Sequence, residues 1–386
     1  MKVNKDNFEI IVKTFQGLED VLIKEIKNLG VDHVEKKIRA VSFIGNNELL
    51  YKANLNLRTA LKILKPIAQF KARDDFNLYK KIQQIDWSTY MSHRDTLFIG
   101  STVYSDYFKH SKYVIHKTKD AIVDQFMKKN NKRPNIDLEN PILKIDVHII
   151  NDNCTISLDS SGKPLNQRGY RLETNEAPIN EVLAAGLILL SNWKKDSSFI
   201  DPMCGSGTIP IEAAMIANNI APNINRQHFG FFNWKGFNKA IWTRIHEEAL
   251  NNEIRFKHKI YGYDKSPRAI RISKKNLAES KMRDKVTFEV RDFEELEPPK
   301  EKGMLIINPP YNERLQNIDV ESFYEMIGDR FKQKFTGYDA CILSANIDAI
   351  KKVGLRTSFK IHLNNGGLKC KYHKYQIYKG SKKNKF

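Results

Sequence analysis

Cysteine is scarce in this chain. Only four occur among 386 residues (Cys154, Cys204, Cys341 and Cys370), far apart and with no CxxC pair. That excludes a disulfide framework and a cysteine zinc knot, and a reducing cytosol is the simplest compartment. Long apolar runs are also missing. The longest, Val182–Leu190, falls far short of the ~20 residues that span a bilayer, so no membrane partner is expected. The first residues, Met1–Glu19, are charged and hold no apolar core of a secretory signal. There is no HExxH and no cluster of His and Asp, so no metal is expected. Neither GxGxxG nor GxxxxGK[ST] is present, which disfavours a dinucleotide or a P-loop nucleotide.

Negative charge is in short supply. Lys and Arg number 64 against 45 Asp and Glu, a net charge of +19. The composition, 41% hydrophobic and 28% charged, is that of a globular protein. A polyanionic partner is the natural reading of the excess, because each neutralised phosphate releases counterions. Abundant Lys from codon bias is the plainer one. The excess is uneven: 26 basic and 20 acidic groups precede residue 161, and 38 and 25 follow.

Three blocks are expected. Residues 1–65 alternate strand and helix: Phe8–Val12 and Val41–Ile44 read as strands, Leu18–Leu29 and Asn46–Leu55 as helices. Residues 66–160 hold helices at Asp75–Ile85 and Tyr113–Lys128, a strand at Thr96–Tyr104, and a hairpin of Leu143–Ile150 with Cys154–Asp159. A basic stretch, Lys128, Lys129, Lys132 and Arg133, follows the second helix, with Lys112 near its start. These are candidate RNA contacts, or a solvated helix exit.

Residues 161–386 alternate strands (Phe199–Asp201, Ile260–Asp264, Val286–Arg291, Met304–Ile307, Asp339–Ser344) with helices (Ala177–Leu190, Ile209–Asn218, Pro267–Ser280, Ser322–Phe335). That pattern gives an α/β, mostly parallel seven-stranded sheet with helices on both faces. Phe359–Leu363 and Tyr372–Tyr378, flanking Asn364-Asn365-Gly366-Gly367, close it with an antiparallel hairpin. This is the layout of a Rossmann-like class I methyltransferase.

The chemistry-bearing residues fall at strand ends. Asp201-Pro202-Met203-Cys204-Gly205-Ser206-Gly207 links a strand to a helix. Glycines there let a ligand approach the backbone, and the helix start offers free N–H groups. An acid followed by GxG resembles an S-adenosylmethionine (SAM) loop. Asp264, ending the next strand, can accept from ribose hydroxyls. Asp292 and Phe293, ending the third, suit the adenine amine and the adenine face. Each alone is an ordinary turn residue; together they occupy three successive strand ends.

The fourth strand ends in Asn308-Pro309-Pro310-Tyr311. Methylation of an exocyclic base amine requires freeing a lone pair delocalised into the ring. The Asn308 amide oxygen and the Pro309 carbonyl can each accept one N–H, with Pro310 fixing the backbone. Tyr311 offers a face on which an extracted base stacks. Cytosine C5 chemistry needs a thiolate near this strand, and Cys204 and Cys341 read instead as buried thiols. In the long insertion 218–258, Phe229, Phe231, Phe232, Trp234 and Trp242 lie among Arg226, Lys235, Lys239 and Arg244. They are read mainly as a satellite core beside the cofactor pocket.

These motifs resemble the amino-methyltransferases of DNA and RNA. Two further stretches are similar to the bacterial THUMP-containing 23S rRNA guanine-N2 methyltransferases. One is Ser111-Lys112-Tyr113 with Lys119–Asp124 and Arg133-Pro134-Asn135; the other is Arg168-Gly169-Tyr170-Arg171 with Ala177–Glu181. The resemblance runs from about residue 5 to 380. It implies a ferredoxin-like unit at 1–65, a THUMP RNA-binding domain at 66–160 and a transferase domain at 161–386. It also implies SAM as donor, S-adenosylhomocysteine (SAH) as product and a guanine amine of 23S rRNA as acceptor, in a free or partly assembled large subunit. Under it Asp201, Gly205, Ser206 and Gly207 line the methionyl end of SAM, Pro202 and Cys204 belong to the same cofactor-binding loop, and Asp264 holds the ribose. Asp292, Phe293 and Asn308 complete the cofactor set. Arg168, Tyr170 and Arg171 form a lid over the pocket. Gln167 stands where relatives often carry a basic residue. Some relatives carry a second transferase domain, whereas this length leaves room for only a single transferase domain. The chain is read as a monomer or weak dimer. Guanine over adenine N6 rests on the resemblance alone, and an RNA-binding assembly factor with a vestigial site is the other alternative.

Overall fold

The computed structural model of the chain describes residues 6–173, 178–299, 302–310 and 319–380. It divides into two compact units. One holds the chain through residue 14, 25–165 and 226–247; the other holds 15–24, 166–225 and 248 onward.

The elements run β1 (Phe8–Lys13), α1 (Glu19–Asn28), β2 (Val34–Lys37), β3 (Ala40–Gly45), α2 (Asn47–Asn56), β4 (Lys62–Lys71) and α3 (Asp75–Gln83). Then follow β5 (Thr96–Tyr104), α4 (Ser111–Asn130), β6 (Asn135–Ile136), β7 (Leu143–Ile150) and β8 (Asn153–Asp159). Their strands make one eight-stranded sheet in the order β2-β3-β1-β4-β8-β7-β5-β6. β4 joins its halves, pairing with β1 through Lys62–Leu64 and with β8 from Leu64 to Lys71. The expected division at 65/66 therefore falls inside a strand. Pro66 hides it from sequence reading, since proline removes a ladder donor. The chain accommodates it at an irregularity between Pro66 and Ala68.

Side chains alternate across this sheet. Ile145, Val147 and Ile149 of β7 and Ile156 and Leu158 of β8 face Leu78, Ile82, Ala121, Ile122 and Phe126 of α3 and α4 in a closed core. Lys13, Lys62, Lys144, Asp146 and His148 point the other way. Lys62 Nζ reaches Asp146 Oδ2 at 3.1 Å. Asp159, at the end of β8, is buried, and burial pushes its carboxyl up to about 6, against the pull of Lys62 and the Ser161 N–H. The folded state thus holds this proton more tightly than the unfolded chain does. The associated stability is present below about pH 4 and lost as the pH rises through about 6, by up to about 3 kcal/mol. Asp159→Asn keeps the acceptor for Ser161 and is expected to flatten the dependence of Tm on pH from 4 to 6.5. An unchanged slope would assign that dependence elsewhere.

The second unit contains α5 (Glu181–Leu190), β9 (Ser198–Asp201), α6 (Thr208–Ala217), the latter part of α7 (Lys239–Asn251), β10 (Ile260–Asp264), α8 (Pro267–Glu279) and β11 (Thr287–Val290). β12 (Gly303–Ile307), α9 (Val320–Lys334), β13 (Asp339–Ser344), β14 (Thr357–Asn365) and β15 (Leu368–Gln376) complete it. The sheet order is β11-β10-β9-β12-β13-β15-β14, parallel from β11 to β13 with β15 and β14 antiparallel, as the class I layout requires. α6 is buried from Thr208 to Ala217, as befits a helix that is apolar on nearly every face, Glu212 being its one charge.

The insertion departs from expectation in its place. Phe229, Phe231, Phe232, Phe237 and Trp242 pack in the first unit, with Phe231 stacked on Tyr51 of α2 at 4.4 Å. Arg244 pairs with Glu48 at 2.7 Å, and Lys235 donates to Met91 O at 3.4 Å. The aromatics are a satellite core, as read, but of the N-terminal unit.

Candidate active site

β9 lies at the centre of the parallel sheet, and its four residues are all buried. The chain leaves it at Asp201 and enters α6 at Thr208. Gly205 has φ +55° and Gly207 φ +83°, conformations that L side chains rarely adopt. A Cβ at Gly207 would also stand 2.9 Å from Phe288 Cζ and 3.0 Å from Ser273 Cβ. Gly207→Ala is expected to cost about 2–4 kcal/mol, combining left-handed strain with overpacking. A thermal melt indistinguishable from native would show that the turn adapts.

The loop is clamped by the end of β10 and by a bond within itself. The Cys204 N–H donates to Tyr263 O and the Gly207 N–H to Cys204 O, both at 2.8 Å. Gly205 N donates to Asp264 Oδ2 at 2.9 Å, and Ser266 N to Asp264 Oδ1 at 2.9 Å. Each carboxylate oxygen keeps a second lone pair for a ligand hydroxyl. Two buttresses escaped sequence reading. On α8, Ser273 Oγ donates to Gly205 O at 2.8 Å, and the buried Asn276 donates to Ser206 O at 3.0 Å. Their signal was faint: two polar residues three apart on the apolar face of an amphipathic helix.

Asp201 is buried, and burial drives its carboxyl well above the ordinary carboxylate range, with the nearby Asp264 pushing the same way. Its Oδ1 accepts from Met203 N at 3.1 Å. Burial also raises the Cys204 thiol well above its usual range and pushes the Cys341 thiol up to about 12. Neither is a ready nucleophile. Pro202 and Ser206 are buried within the loop.

Arg168, Tyr170 and Arg171 are tied to the same loop's helix. Arg168 Nε lies 3.4 Å from Glu212 Oε1, with both side chains fully buried, and Tyr170 OH donates to the same oxygen at 3.0 Å. Arg171 Nη2 donates to Thr208 Oγ1 at 2.9 Å and to Ile179 O at 2.8 Å; its Nε is 3.1 Å from Glu181. Leu172 N donates to Asn276 Oδ1 at 3.1 Å. The segment is thus tied to α6, directly after the Asp201–Gly207 loop, through largely buried ionic and hydrogen-bonded contacts.

Phe293 corrects the reading of it as an adenine platform. It is 2% exposed and packs on Phe331 and Phe335 in the core. Its apolar bulk is worth more buried beneath the sheet end than exposed in a cleft. Asp292 is half-buried beside it and caps a short turn, accepting from Glu294 N at 3.1 Å.

β12 runs parallel to β9, with Leu305 opposite Ile200 and Met304 opposite Phe199. On the other side of β9, Gly262 of β10 is opposite Asp201. Asn308, half-buried, follows β12 directly, with Pro309 buried and Pro310 half-buried. Asp201, Asp264 and Asn308 therefore end three adjacent parallel strands, at the point where the strand order reverses from β10 to β12. Open α/β sheets bind ligands at such a point. Tyr311 lies outside the described residues. Of the expected RNA contacts, Lys112, Lys128, Lys132 and Arg133 are exposed, and Lys129 pairs with Asp86 at 2.8 Å. No helix among the described residues is long and apolar enough to cross a membrane, and no group of His, Cys, Asp and Glu among them could hold a metal ion.

Known proteins carry the same organisation. Residues 168–374 match the RMKL-like methyltransferase domain, 72–159 the THUMP domain and 9–64 the RlmL ferredoxin-like domain. A putative RNA methyltransferase of Synechocystis sp., slr0064, is 37% identical over 365 residues, covering 94% of this chain and 95% of that protein. The ribosomal RNA large subunit methyltransferase K/L of Shewanella frigidimarina is 36% identical, covering 97% of this chain and 53% of the relative. The chain thus spans about half the length of the K/L proteins it matches. The crystal structure of SMU.472, a putative methyltransferase complexed with SAH, superposes with a TM-score of 0.86 at 32% identity, covering 98% of this chain and all of that one. The chain belongs to the RMKL-like methyltransferase family, with a THUMP domain and an RlmL-type ferredoxin-like domain before the transferase fold.

Proposed function

We propose that this protein is a SAM-dependent RNA methyltransferase acting on the exocyclic N2 amine of a guanine in 23S rRNA. The observation that carries the reading is the placement of Asp201, Asp264 and Asn308 at the ends of three adjacent parallel strands, around a loop whose Gly205 and Gly207 have positive φ. The residues present fit the cofactor. Asp201, whose charged form is disfavoured by burial and by Asp264, would be stabilised as a carboxylate by an ammonium group; Asp264 suits ribose hydroxyls; the N–H groups opening α6 suit a carboxylate. SAM supplies an electrophilic methyl group on a sulfonium that departs as a neutral thioether, so no covalent enzyme intermediate is needed.

The chain's own part is orientation. The Asn308 amide oxygen and the Pro309 carbonyl each accept one amine N–H, turning the nitrogen lone pair out of ring conjugation. The names of the relatives support rRNA of the large subunit as acceptor. A target in a duplex must be flipped out at a cost of a few kcal/mol, which favours free or partly assembled rRNA.

The test is methyl transfer from labelled SAM to total RNA of a strain lacking the gene, with nucleoside digestion of the product. N2-methylguanosine in 23S rRNA is expected. N6-methyladenosine would move the assignment to the adenine amine, and no labelling at all would end it.

A further inference from the structure

The face of the eight-stranded sheet opposite the α3/α4 core has no role in the site above, yet the cations gather there. Lys13 of β1 pairs in register with Lys62 of β4, and Lys62 bonds Asp146 of β7. Lys144, two residues before Asp146 on the same face, lies over the Phe98 ring at 5.3 Å. Beyond β8, the Arg226 guanidinium donates to Pro164 O at 3.0 Å and Ser161 O at 3.0 Å, fixing the loop that carries the exposed Lys163. The acids are recessed: Asp146 and Asp159 are each 7% exposed. Glu9, four residues before Lys13 on β1, is held by Lys37 at 2.8 Å, and the exposed Glu35 lies on the edge strand β2. Lys13, Lys144 and Lys163 form no ion pair among the described residues.

The cations feel one another. Burial first, then Lys62, Lys37 and Arg39, hold the Lys13 ammonium below its ordinary range against the pull of Asp146. Burial, then Lys62, Lys163 and Arg226, do the same to Lys144 against Asp159. Folding has gathered like charges on one surface, an arrangement that a polyanion relieves. The same face offers rings at its far end. His148 sits two residues beyond Asp146. Tyr104, in register with Ile150 on β5, is 63% exposed. Cations beside solvent-facing rings on a sheet suit a single strand, whose phosphates follow the charges while unstacked bases find ring faces.

We propose that this sheet face is a platform for a single-stranded RNA segment, with Lys13, Lys144 and Lys163 meeting phosphates and Tyr104 a base. The proposal rests on the RNA-methyltransferase reading and gives its substrate grip a place, away from the basic exit of α4 that the sequence suggested.

The test is fluorescence anisotropy with a labelled 20-nucleotide mixed-sequence RNA, single-stranded or annealed to its complement, from 50 to 300 mM KCl. Lys13→Ser/Lys144→Ser/Lys163→Ser is expected to weaken single-strand binding at least about ten-fold at 100 mM and to lower the salt slope by about 2, at ~0.7 per phosphate contact. Lys62 is left in place because Asp146 depends on it. Lys128→Ser/Lys132→Ser/Arg133→Ser is expected to leave the slope unchanged. Lys163→Glu, a single change on an exposed loop, is expected to weaken binding about three-fold or more and guards against misfolding of the triple variant. An unchanged slope in the sheet variants, a loss carried by the α4 variant instead, or a duplex bound as tightly as the single strand overturns the platform. Calorimetric titration with SAH on the same preparations separates the two readings. Absent SAH uptake by the native protein defeats the methyltransferase assignment, while the RNA titration judges the platform independently.

Discussion

Asn308→Ala is expected to lower kcat by about 10²–10⁴ while SAH affinity stays within about three-fold of native. The argument is geometric. Asn308 follows the end of β12, beside Asp201 at the end of β9, and is half-buried, so its backbone is held by the sheet at the strand ends. An arylamine nitrogen is a poor nucleophile while its lone pair is shared with the ring. Two acceptors that hold its hydrogens out of the ring plane act mainly in the transition state, when charge builds on nitrogen. Removing one of a pair of preorganised polar groups of this kind costs ~10²–10³ in kcat. The misorientation that follows adds to this. Binding that is equal in ground and transition states is hardly touched, so the loss falls on kcat rather than on cofactor affinity. Asn308→Asp keeps an acceptor of the same shape and is expected to retain more activity than Asn308→Ala. Single-turnover transfer together with SAH calorimetry reads both quantities. If affinity for SAH falls in step with kcat, Asn308 is a cofactor ligand and the amine-holding role is wrong.

How much of this was legible in the sequence depended on how local the cause was. The loop Asp201–Gly207 announced itself because its glycines answer a local demand, positive φ between a strand and a helix. Asp264 and Asn308 were found because strand ends are marked by where apolar runs stop. Ser273 and Asn276 were not, because their partners lie about 70 residues away and two polar residues on the apolar face of α8 do not say what they bond. Phe293 was misassigned for a related reason: proximity to a strand end says nothing about which way a ring turns, and burial against Phe331 and Phe335 decided it. β4 was missed because Pro66 reads as a break. Only the pairing with both β1 and β8 shows the strand running through it. The cations of the sheet face were visible only as composition; their gathering on one surface follows from register between strands far apart in sequence.

Glu212→Ala is expected to destabilise the protein by about 3–5 kcal/mol, a fall in Tm on the order of 10 °C. Glu212 is the lone charge in an otherwise apolar α6, Thr208–Ala217. It is fully buried, and so is the Arg168 side chain it meets at 3.4 Å; Tyr170 donates to the same oxygen at 3.0 Å. Alanine would take from the guanidinium and the phenol the carboxylate oxygen they share, and weakening the compensation of a buried cation is the costliest part of such a change. Arg168→Met/Glu212→Leu removes both charges and is expected to recover most of the loss, as replacing a buried pair with apolar groups is often neutral. The same comparison decides what the Arg168–Arg171 segment is. Arg171 bonds Thr208, the first residue of α6, and Thr208 follows Gly207. If the segment braces the cofactor loop, SAH affinity falls along with stability in Glu212→Ala and returns in the double variant. If it is instead a lid that moves freely over the pocket, Glu212→Ala melts near the native temperature and only the rate of SAH exchange changes.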